Sequence, residues 1–217
     1  MNAALEVVGL NVAIDHIPIL RDVSLRVPIG KMVGLIGRNG AGKTTLMRAI
    51  MGLMPRHAAR LATDGEDLLL LPPYGLAKRG VSYMPEDRRL IPDLTVEENI
   101  LLPAWANGIR HAAERLQWIY ERMPEVYEFR DRRAMQLSGG QQKLVALARA
   151  LMPGIKLLLL DEPFEGVAPV LSHRLAEVIG SLRQDGLSVV LSESDDTHSA
   201  HLVDLAYRIE RGVVTAG

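Results

Sequence analysis

A glycine-rich segment near the start of the chain constrains the fold more than any other feature. Residues 37–44 read Gly-Arg-Asn-Gly-Ala-Gly-Lys-Thr and match the pattern G-x-x-x-x-G-K-[ST]. The apolar run at residues 31–36 predicts a strand before this segment, and the helix formers at residues 44–51 predict a helix after it. Glycines at such a junction let backbone N–H groups close on phosphate oxygens. The segment therefore predicts a nucleotide-phosphate loop in an α/β fold.

The residue types in this loop indicate what each does on a bound nucleotide. Lys43 is predicted to neutralise the β- and γ-phosphates, and the Thr44 hydroxyl is predicted to bind Mg²⁺. A chance glycine turn would match the pattern in roughly one chain of this length in a hundred, without the flanking strand and helix. The predicted nucleotide contacts are Gly37, Asn39, Gly40, Ala41, Gly42, Lys43, Thr44 and Thr45.

A buried strand that ends in two acids is the second feature with chemical meaning. Residues 156–160 form an apolar run, and Asp161 and Glu162 follow it directly. Open α/β sheets place their chemistry at the carboxyl ends of strands. Asp161 is predicted to hold Mg²⁺ through water, while Glu162 is predicted to orient or deprotonate the attacking water. Taken alone the two acids could be a solvated strand end before a turn, but the phosphate loop argues against that alternative.

The remaining pattern predicts strands that alternate with helices, which implies a parallel sheet. Further strands are predicted at residues 20–27, 187–191 and 205–210, with hairpins at residues 60–70, around Asp64-Gly65, and around Gly212. Period-3.6 patterning runs through residues 95–152, including Asn99, residues 112–123 and residues 141–152, and a further helix is predicted at residues 171–184.

The domain organisation expected from this pattern is a single domain over residues 1–217. Residues 1–90 and 151–217 are expected to form a core lobe, and residues 91–150 a helical lobe. A chain of 217 residues with 48% apolar content can bury its own core without disulfides or a structural metal.

The composition predicts a location inside the cell and no binding of nucleic acid. The chain has 0 cysteines, which fits a reducing compartment, and its net charge of −1 gives no broad footprint for nucleic acid. Residues 1–10 lack a basic leader, and no run of about 18 uncharged apolar residues occurs. The chain is expected to be cytoplasmic, to bind no nucleic acid, and to reach a membrane through another protein.

A third segment, residues 137–141 with the sequence Leu-Ser-Gly-Gly-Gln, opens a predicted helix. A helix N-terminus favours an anion, although Ser-Gly-Gly alone is more often an ordinary helix cap. Together with the following residues 142–151, the segment strongly resembles the signature of ATP-binding-cassette proteins. The resemblance covers essentially the whole chain.

This resemblance implies a phosphate-loop NTPase cassette with a RecA-like parallel-sheet core, an N-terminal antiparallel β subdomain and an inserted α-helical subdomain. It implies ATP and Mg²⁺ as ligands, and ATP hydrolysis coupled to transport. Cassettes of the family pack head to tail, so a second ABC ATPase, identical or related, is an expected partner. The implied contacts of the signature with the nucleotide held by that partner are Ser138, Gly139, Gly140 and Gln141.

Three further segments resemble a subfamily. Residues 83–90, 92–99 and 165–169 are similar to ATPase subunits of branched-chain amino-acid importers. Such a subunit lies on the inner face of the cell membrane, works with two transmembrane permease subunits, and serves an external solute-binding protein indirectly. The implied solutes are branched-chain amino acids or related small hydrophobic or amide compounds. Residues 86–99 would touch the permease, unless they are an ordinary surface loop.

The sequence departs from the family pattern at two catalytic positions. Most members have a glutamine that reaches the metal and water where this chain has Glu86, for which a role in coupling and in the metal site is expected. Ser194 stands in place of the switch histidine and is too short and uncharged to stabilise the γ-phosphate similarly. His198 and His201 follow, and a solvated helix residue is the favoured interpretation of either over a displaced substitute. We therefore expect slow hydrolysis at this subunit's own site.

The adenine contact is also altered, because Ile14 or Val12 occupies the expected place of the stacking aromatic, with His16 nearby. Two rival functions follow. A nucleotide-binding regulatory subunit with little turnover would suit Ser194 and Ile14, although Glu162 speaks against it. A non-transport cassette ATPase would share the same motifs, but such proteins usually carry coiled coils, tandem cassettes or basic patches.

Overall fold

The computed structural model describes residues 3–195 and 199–217. Its strands are β1 (Ala3–Ile14), β2 (Ile17–Pro28), β3 (Met32–Ile36), β4 (Arg60–Thr63), β5 (Glu66–Asp67), β6 (Val81–Met84), β7 (Leu157–Asp161), β8 (Ser188–Glu193), β9 (Leu205–Glu210) and β10 (Val213–Ala216). Its α-helices are α1 (Lys43–Ile50), α2 (Pro73–Lys78), α3 (Val96–Asn107), α4 (Ala112–Arg122), α5 (Pro124–Glu128), α6 (Gly139–Leu151) and α7 (Pro169–Ser181), and a 3₁₀ turn covers Ala134–Gln136.

The predicted parallel sheet is confirmed. Its strand order is β10-β9-β3-β8-β7-β6, with all neighbours parallel except the β9–β10 hairpin at one edge. The central strands are short apolar runs, and β7 consists of four leucines and Asp161, all buried. Continuous apolar runs are typical of parallel strands because layers cover both faces of such a sheet. The strands end at one edge, where the acids and the glycine loop lie.

The N-terminal part of the chain forms a second, antiparallel sheet with the strand order β2-β1-β4-β5. The predicted alternation of β2 is confirmed, because Leu20, Val23, Leu25 and Val27 are all buried. The three-residue step from Leu20 to Val23 coincides with a register shift against β1 and a positive φ of 48° at Asp22, as at a β-bulge. The predicted hairpin at Asp64-Gly65 is also confirmed, but its strands end at Asp67 and not at residue 70.

Helices dominate the part of the chain between β6 and β7, as predicted. Thr95 caps α3 through a reciprocal capping box with Glu98, and Gly108 ends that helix in the left-handed conformation. Helix α6 begins two residues before the predicted residue 141, because Ser138 and Gln141 form the same kind of box. Helix α7 also begins earlier than predicted, at Pro169, and ends at Ser181.

Two clusters of buried residues lie on opposite faces of the parallel sheet. On β7, Leu158 and Leu160 belong to the cluster shared with helices α3–α7, while Leu157 and Leu159 belong to the cluster shared with α1 and the antiparallel sheet. The helical part therefore shares its core with one sheet face. The lobe boundaries at residues 90 and 150 stay a prediction.

Asn99 is a buried polar anchor that we expect to matter for stability. Its side chain accepts a hydrogen bond from the Ile91 N–H (2.8 Å) and donates to the carbonyls of Ile91, Leu94 and Thr95. Asn99→Ala would leave these groups unpaired inside the protein, so the free energy of unfolding should fall by about 2–4 kcal/mol in urea denaturation. Asn107→Ala removes a single bond to Pro103 and should cost less than about 1 kcal/mol. Equal losses in the two variants would contradict the anchoring role.

Candidate functional site

The phosphate loop lies between two cavities. One, of 320 Å³, is lined by Ile19, Asn39, Gly40, Gly42, Lys43, Thr44, Thr45, Glu86, Glu162 and Glu165. The other, of 600 Å³, is lined by Ile36, Gly37, Arg38, Asn39, Gly40, Ala41, Ser194, Arg208, Ile209, Glu210 and Arg211. The loop residues singled out in the sequence thus line one cavity or the other. Ile19 carried no sequence signal, and Glu165 appeared only within the subfamily motif.

Backbone geometry explains the glycines of the loop. Gly37 follows β3, its N–H donates to the Glu193 carbonyl at 3.0 Å, and a Cβ there would lie 2.3 Å from the Ile209 carbonyl oxygen. Gly42 caps α1 with a φ of 112°, which side chains rarely tolerate. No side chain among the described residues caps α1, so its first N–H groups lack a side-chain acceptor. Such groups suit phosphate oxygens.

Lys43 is buried and pairs with Glu162 at the first cavity. Its Nζ lies 2.9 Å from Glu162 Oε1, and it also donates to the carbonyls of Gly37 and Arg38. Burying two opposite charges is favourable only when each is well partnered. A phosphate entering the loop would compete with Glu162 for the Lys43 ammonium.

Asp161 is fully buried and accepts three hydrogen bonds, from Thr44 Oγ1 (3.2 Å), Ser192 Oγ (2.8 Å) and Tyr83 OH (3.0 Å). Burial raises the pKa of Tyr83, and the charge of Asp161 raises it further. The phenol therefore keeps its proton and donates a hydrogen bond to Asp161. A hydroxyl beside a carboxylate is the hard oxygen chemistry that Mg²⁺ prefers. Thr44 and Asp161 thus fit the predicted metal. Tyr83 and Ser192 were not predicted as site residues.

Glu162 adopts a strained backbone conformation. Its φ is 47°, in the left-handed region that non-glycine residues rarely occupy. Its N–H donates to the carbonyl and the hydroxyl of Ser192 at 3.2 and 3.1 Å, and its own carbonyl accepts from the Lys143 ammonium. The backbone on both sides of the carboxylate is thereby held from two different elements.

Ser194 lies within reach of Glu162 but brings no charge. Its Oγ is 2.8 Å from Asn39 Oδ1 and 3.2 and 3.3 Å from the two Glu162 carboxylate oxygens. A hydroxyl has one proton and can donate to one of these acceptors at a time. Of the two histidines considered as substitutes, His201 is exposed, and His198 lies outside the described residues.

Acids surround the first cavity. Burial raises the pKa of Glu86, and the charges of Glu165, Asp161 and Glu162 raise it further. These groups repel one another and would also repel a nucleoside triphosphate. A cation beside the carboxylates would reduce that repulsion.

Glu193, at the end of β8, is a further buried acid that the sequence did not single out. Burial raises its pKa to about 8, and the charges of Glu162 and Asp195 act in the same direction, against Lys143 and Lys43. One of its carboxyl oxygens has no hydrogen-bond partner among the described residues. At neutral pH this carboxyl is mostly protonated.

The signature segment lies apart from both cavities. Ser138 accepts from the Gln141 N–H at 3.3 Å, and the Gln141 side chain accepts from the Ser138 N–H at 3.0 Å, so the segment is also a helix cap. A Cβ on Gly140 would lie 2.3 Å from Leu171 Cδ1, which gives this glycine a packing reason. Neither Ser138 nor Gly139 lines the phosphate-loop cavities.

The residues considered for the adenine contact lie in different surroundings. Val12 is buried in the core, Ile14 is 44% exposed at the end of the β1–β2 hairpin, and His16 lies in its turn with a positive φ of 66°. Ile19, from the start of β2, lines the phosphate-loop cavity instead. Of the two candidates for the adenine position, Ile14 is thus an exposed aliphatic side chain and Val12 a buried one.

The fold and the loop define a phosphate-loop NTPase of the cassette type. Residues 20–165 match the ABC transporter family, and the chain belongs to that family. It is 37% identical over 193 residues to the high-affinity branched-chain amino acid transport ATP-binding protein BraG of Pseudomonas aeruginosa, covering 89% of this chain and 83% of BraG. It is 35% identical over 200 residues to the lipopolysaccharide export system ATP-binding protein LptB of Escherichia coli K12, covering 91% and 83%.

A solved structure gives the same result for the fold. The ADP conformation of an ATP-binding cassette of an ABC transporter superposes with a TM-score of 0.87 at 26% identity, covering 100% of this chain and 91% of that one. The predicted fold class is confirmed. The chain is an ATPase, the ATP-binding subunit of a transporter, in a family that binds ATP, generally with Mg²⁺, dimerises and pairs with membrane permeases. None of the helices described is long and apolar enough for a membrane span.

The raised pKa of Glu193 predicts a pH-dependent stability. The folded state holds a proton that the unfolded state releases above its ordinary pKa of about 4.5, so stability falls as pH rises from there through about 8. Glu193→Gln carries no such proton, and its free energy of unfolding relative to wild type should rise by about 4 kcal/mol between pH 5 and pH 8.5.

Urea denaturation at the two pH values measures this difference. Glu128→Gln, at an exposed acid at the end of α5, is the matched control and should shift stability equally at both. A Glu193→Gln variant whose advantage is the same at pH 5 and pH 8.5 would contradict a protonated Glu193.

Proposed function

We propose that Lys43 and Glu162 form the catalytic pair of an ATP-hydrolysing site, with Thr44 and Asp161 as its metal residues. The observation that carries this proposal is the buried ion pair between Lys43 and Glu162, beside the hydrogen bond between Thr44 and Asp161. Bound Mg²⁺ would offset charge on the phosphates. The loop N–H groups and Lys43 would bind the β- and γ-phosphates, as Gly37, Asn39, Gly40, Ala41, Gly42 and Thr45 surround them.

Phosphate binding would release Glu162 from Lys43 and let it act as a general base. Once the γ-phosphate takes Lys43, the freed carboxylate can accept a proton from a water molecule as that water attacks the γ-phosphorus. The bond between the γ-phosphorus and the bridging oxygen breaks, and ADP and phosphate leave. Glu86, which lines the same cavity, would orient the metal and water, and Ser194 would hold Glu162 by a hydrogen bond.

The second half of the site would come from another cassette. Ser138, Gly139, Gly140 and Gln141 lie at a helix N-terminus and line neither cavity of this chain's own loop, so they would contact ATP held by a second ABC ATPase. Because Ser194 brings no positive charge, hydrolysis at this chain's own loop would be slow. The signature would then serve a more competent sister subunit.

The proposed transport function is import of branched-chain amino acids or related small hydrophobic or amide solutes, through two permease subunits and with an external solute-binding protein. The support is the subfamily resemblance of residues 83–90, 92–99 and 165–169, together with the likeness to BraG. Residues 86–99 would contact the permeases from the cytoplasmic face. The similar identity to LptB makes export of a lipid the second candidate.

Isolation of the intact transporter would separate the two candidates. The tagged chain is purified with its native permeases in detergent and reconstituted in proteoliposomes with ATP on the cassette side. Import predicts ATP-dependent movement of labelled leucine toward the cassette side, dependent on the binding protein. Glu162→Gln in the same complex should abolish it. Extraction of lipopolysaccharide without leucine transport would overturn import.

Glu162→Gln also tests the catalytic assignment. The amide cannot accept the proton of the attacking water, so turnover should fall at least about 100-fold while ATP binding persists. A phosphate-release assay measures the first and equilibrium binding the second, with Glu114→Gln as the control. Similar turnover in wild type and Glu162→Gln would instead favour a regulatory subunit.

The mass of Glu162→Gln in solution, with and without Mg-ATP, reports on pairing. An ATP-dependent shift from monomer to dimer would support a homodimeric motor. A chain that binds ATP but remains a monomer would support the hypothesis that it needs a related sister ATPase as its partner.

A further inference from the structure

A lysine on the signature helix contacts the proposed catalytic glutamate. Lys143 lies in the second turn of α6, five residues after Ser138, and is 4% exposed. Its ammonium donates to the backbone carbonyl of Glu162. Most neighbouring residues of α6 are apolar and buried, so an ammonium there is costly unless its partners compensate for lost water.

Burial lowers the pKa of Lys143, and the charge of Arg88 lowers it further. Three acids of the site, Glu165, Glu86 and Glu162, favour the charged form and supply part of the compensation. Glu193 also interacts with Lys143, from the end of β8. Lys143 thus interacts electrostatically with the three acids that line the phosphate-loop cavity. A buried lysine with no role in the site would not need acids of the site around it.

The contact falls at the strained residue. Glu162 is held in the left-handed region with its N–H bound to Ser192 on β8, and Lys143 holds its carbonyl from α6. Backbone in sparsely populated conformations persists where the surroundings over-determine it. Loss of the Lys143 donor would leave a carbonyl without this partner and allow Glu162 to relax. The carboxylate would then leave its place beside Lys43.

We propose that Lys143 is a positioning residue that holds Glu162 in its hydrolytic conformation, so that the signature helix is linked directly to the glutamate of the same chain. The inference rests on the proposed function, because it needs Glu162 to act in hydrolysis. A signature that binds the partner's nucleotide would thereby affect the chain's own site through α6. This link lies within a single subunit.

Two variants separate the hydrogen bond from the charge. Lys143→Met keeps the length and apolar stem but has no donor, while Lys143→Gln keeps a donor without the charge. Misplaced catalytic groups cost about 10²-fold in rate, so Lys143→Met should lower kcat about 10–100-fold. The KM for ATP and the ATP affinity should stay within about threefold, because the phosphate loop is untouched. Lys143→Gln should recover at least about fivefold of the lost kcat.

The assay uses the reconstituted transporter or the purified chain, with urea denaturation of each variant. A Lys143→Met variant with kcat within about threefold of wild type would overturn the inference. So would a parallel loss in both variants with weakened ATP binding, since that pattern belongs to a purely structural lysine. Glu162→Gln is measured alongside. If it remains active, the proposed function fails; if it is inactive while Lys143→Met is normal, only the positioning role fails.

Discussion

The parallel pairing of β8 with both β3 and β7 sets the position of nearly every group in the site. Asp161 lies opposite Ser192 on β8, and Ile36 lies opposite Glu193, so the phosphate loop and the two acids leave the sheet at the same level. Side chains alternate along strands, and a slip of one residue would turn Asp161 to the other face. The hydrogen bond between Ser192 and Asp161 marks this register.

Charge balance is the second constraint on the site. Glu86, Glu162 and Glu165 line one cavity, and Lys43 is the cation among the residues that line it. The Lys43 ammonium is paired with Glu162. In the proposed mechanism, a nucleotide that takes this ammonium would leave a free carboxylate next to its γ-phosphate, and a divalent cation would reduce the repulsion. Nucleotide binding would then also activate the carboxylate.

The sequence predicted those parts of the site that lie within single motifs. The loop at residues 37–44 and the acids Asp161 and Glu162 follow directly from a strand that ends in glycines or carboxylates. Ser192, Tyr83 and Lys143 were missed because their roles arise from strand register and from the packing of α6. No local pattern of residue types encodes such neighbours.

The same limit explains the missed elements of the fold. Strand β1 is interrupted by Gly9 and by register shifts against β2, so its alternation is irregular. Helix α2 is six residues long, begins at a proline and contains Gly75, which gives little helix propensity. Strand β6 is four residues long, and it is a strand because β7 pairs with it. Tertiary pairing decides such short elements.

The two halves of the proposed mechanism are unequal in this chain. The signature segment is well ordered by local contacts. Ser138 caps the helix that follows it, and Gly140 packs against Leu171. The loop half has Ser194 beside Glu162, a hydroxyl where a cation would strengthen binding of the γ-phosphate. In the proposed mechanism, such a chain would complete a partner's site better than its own. The contact of Lys143 with Glu162 would let the stronger half influence the weaker one.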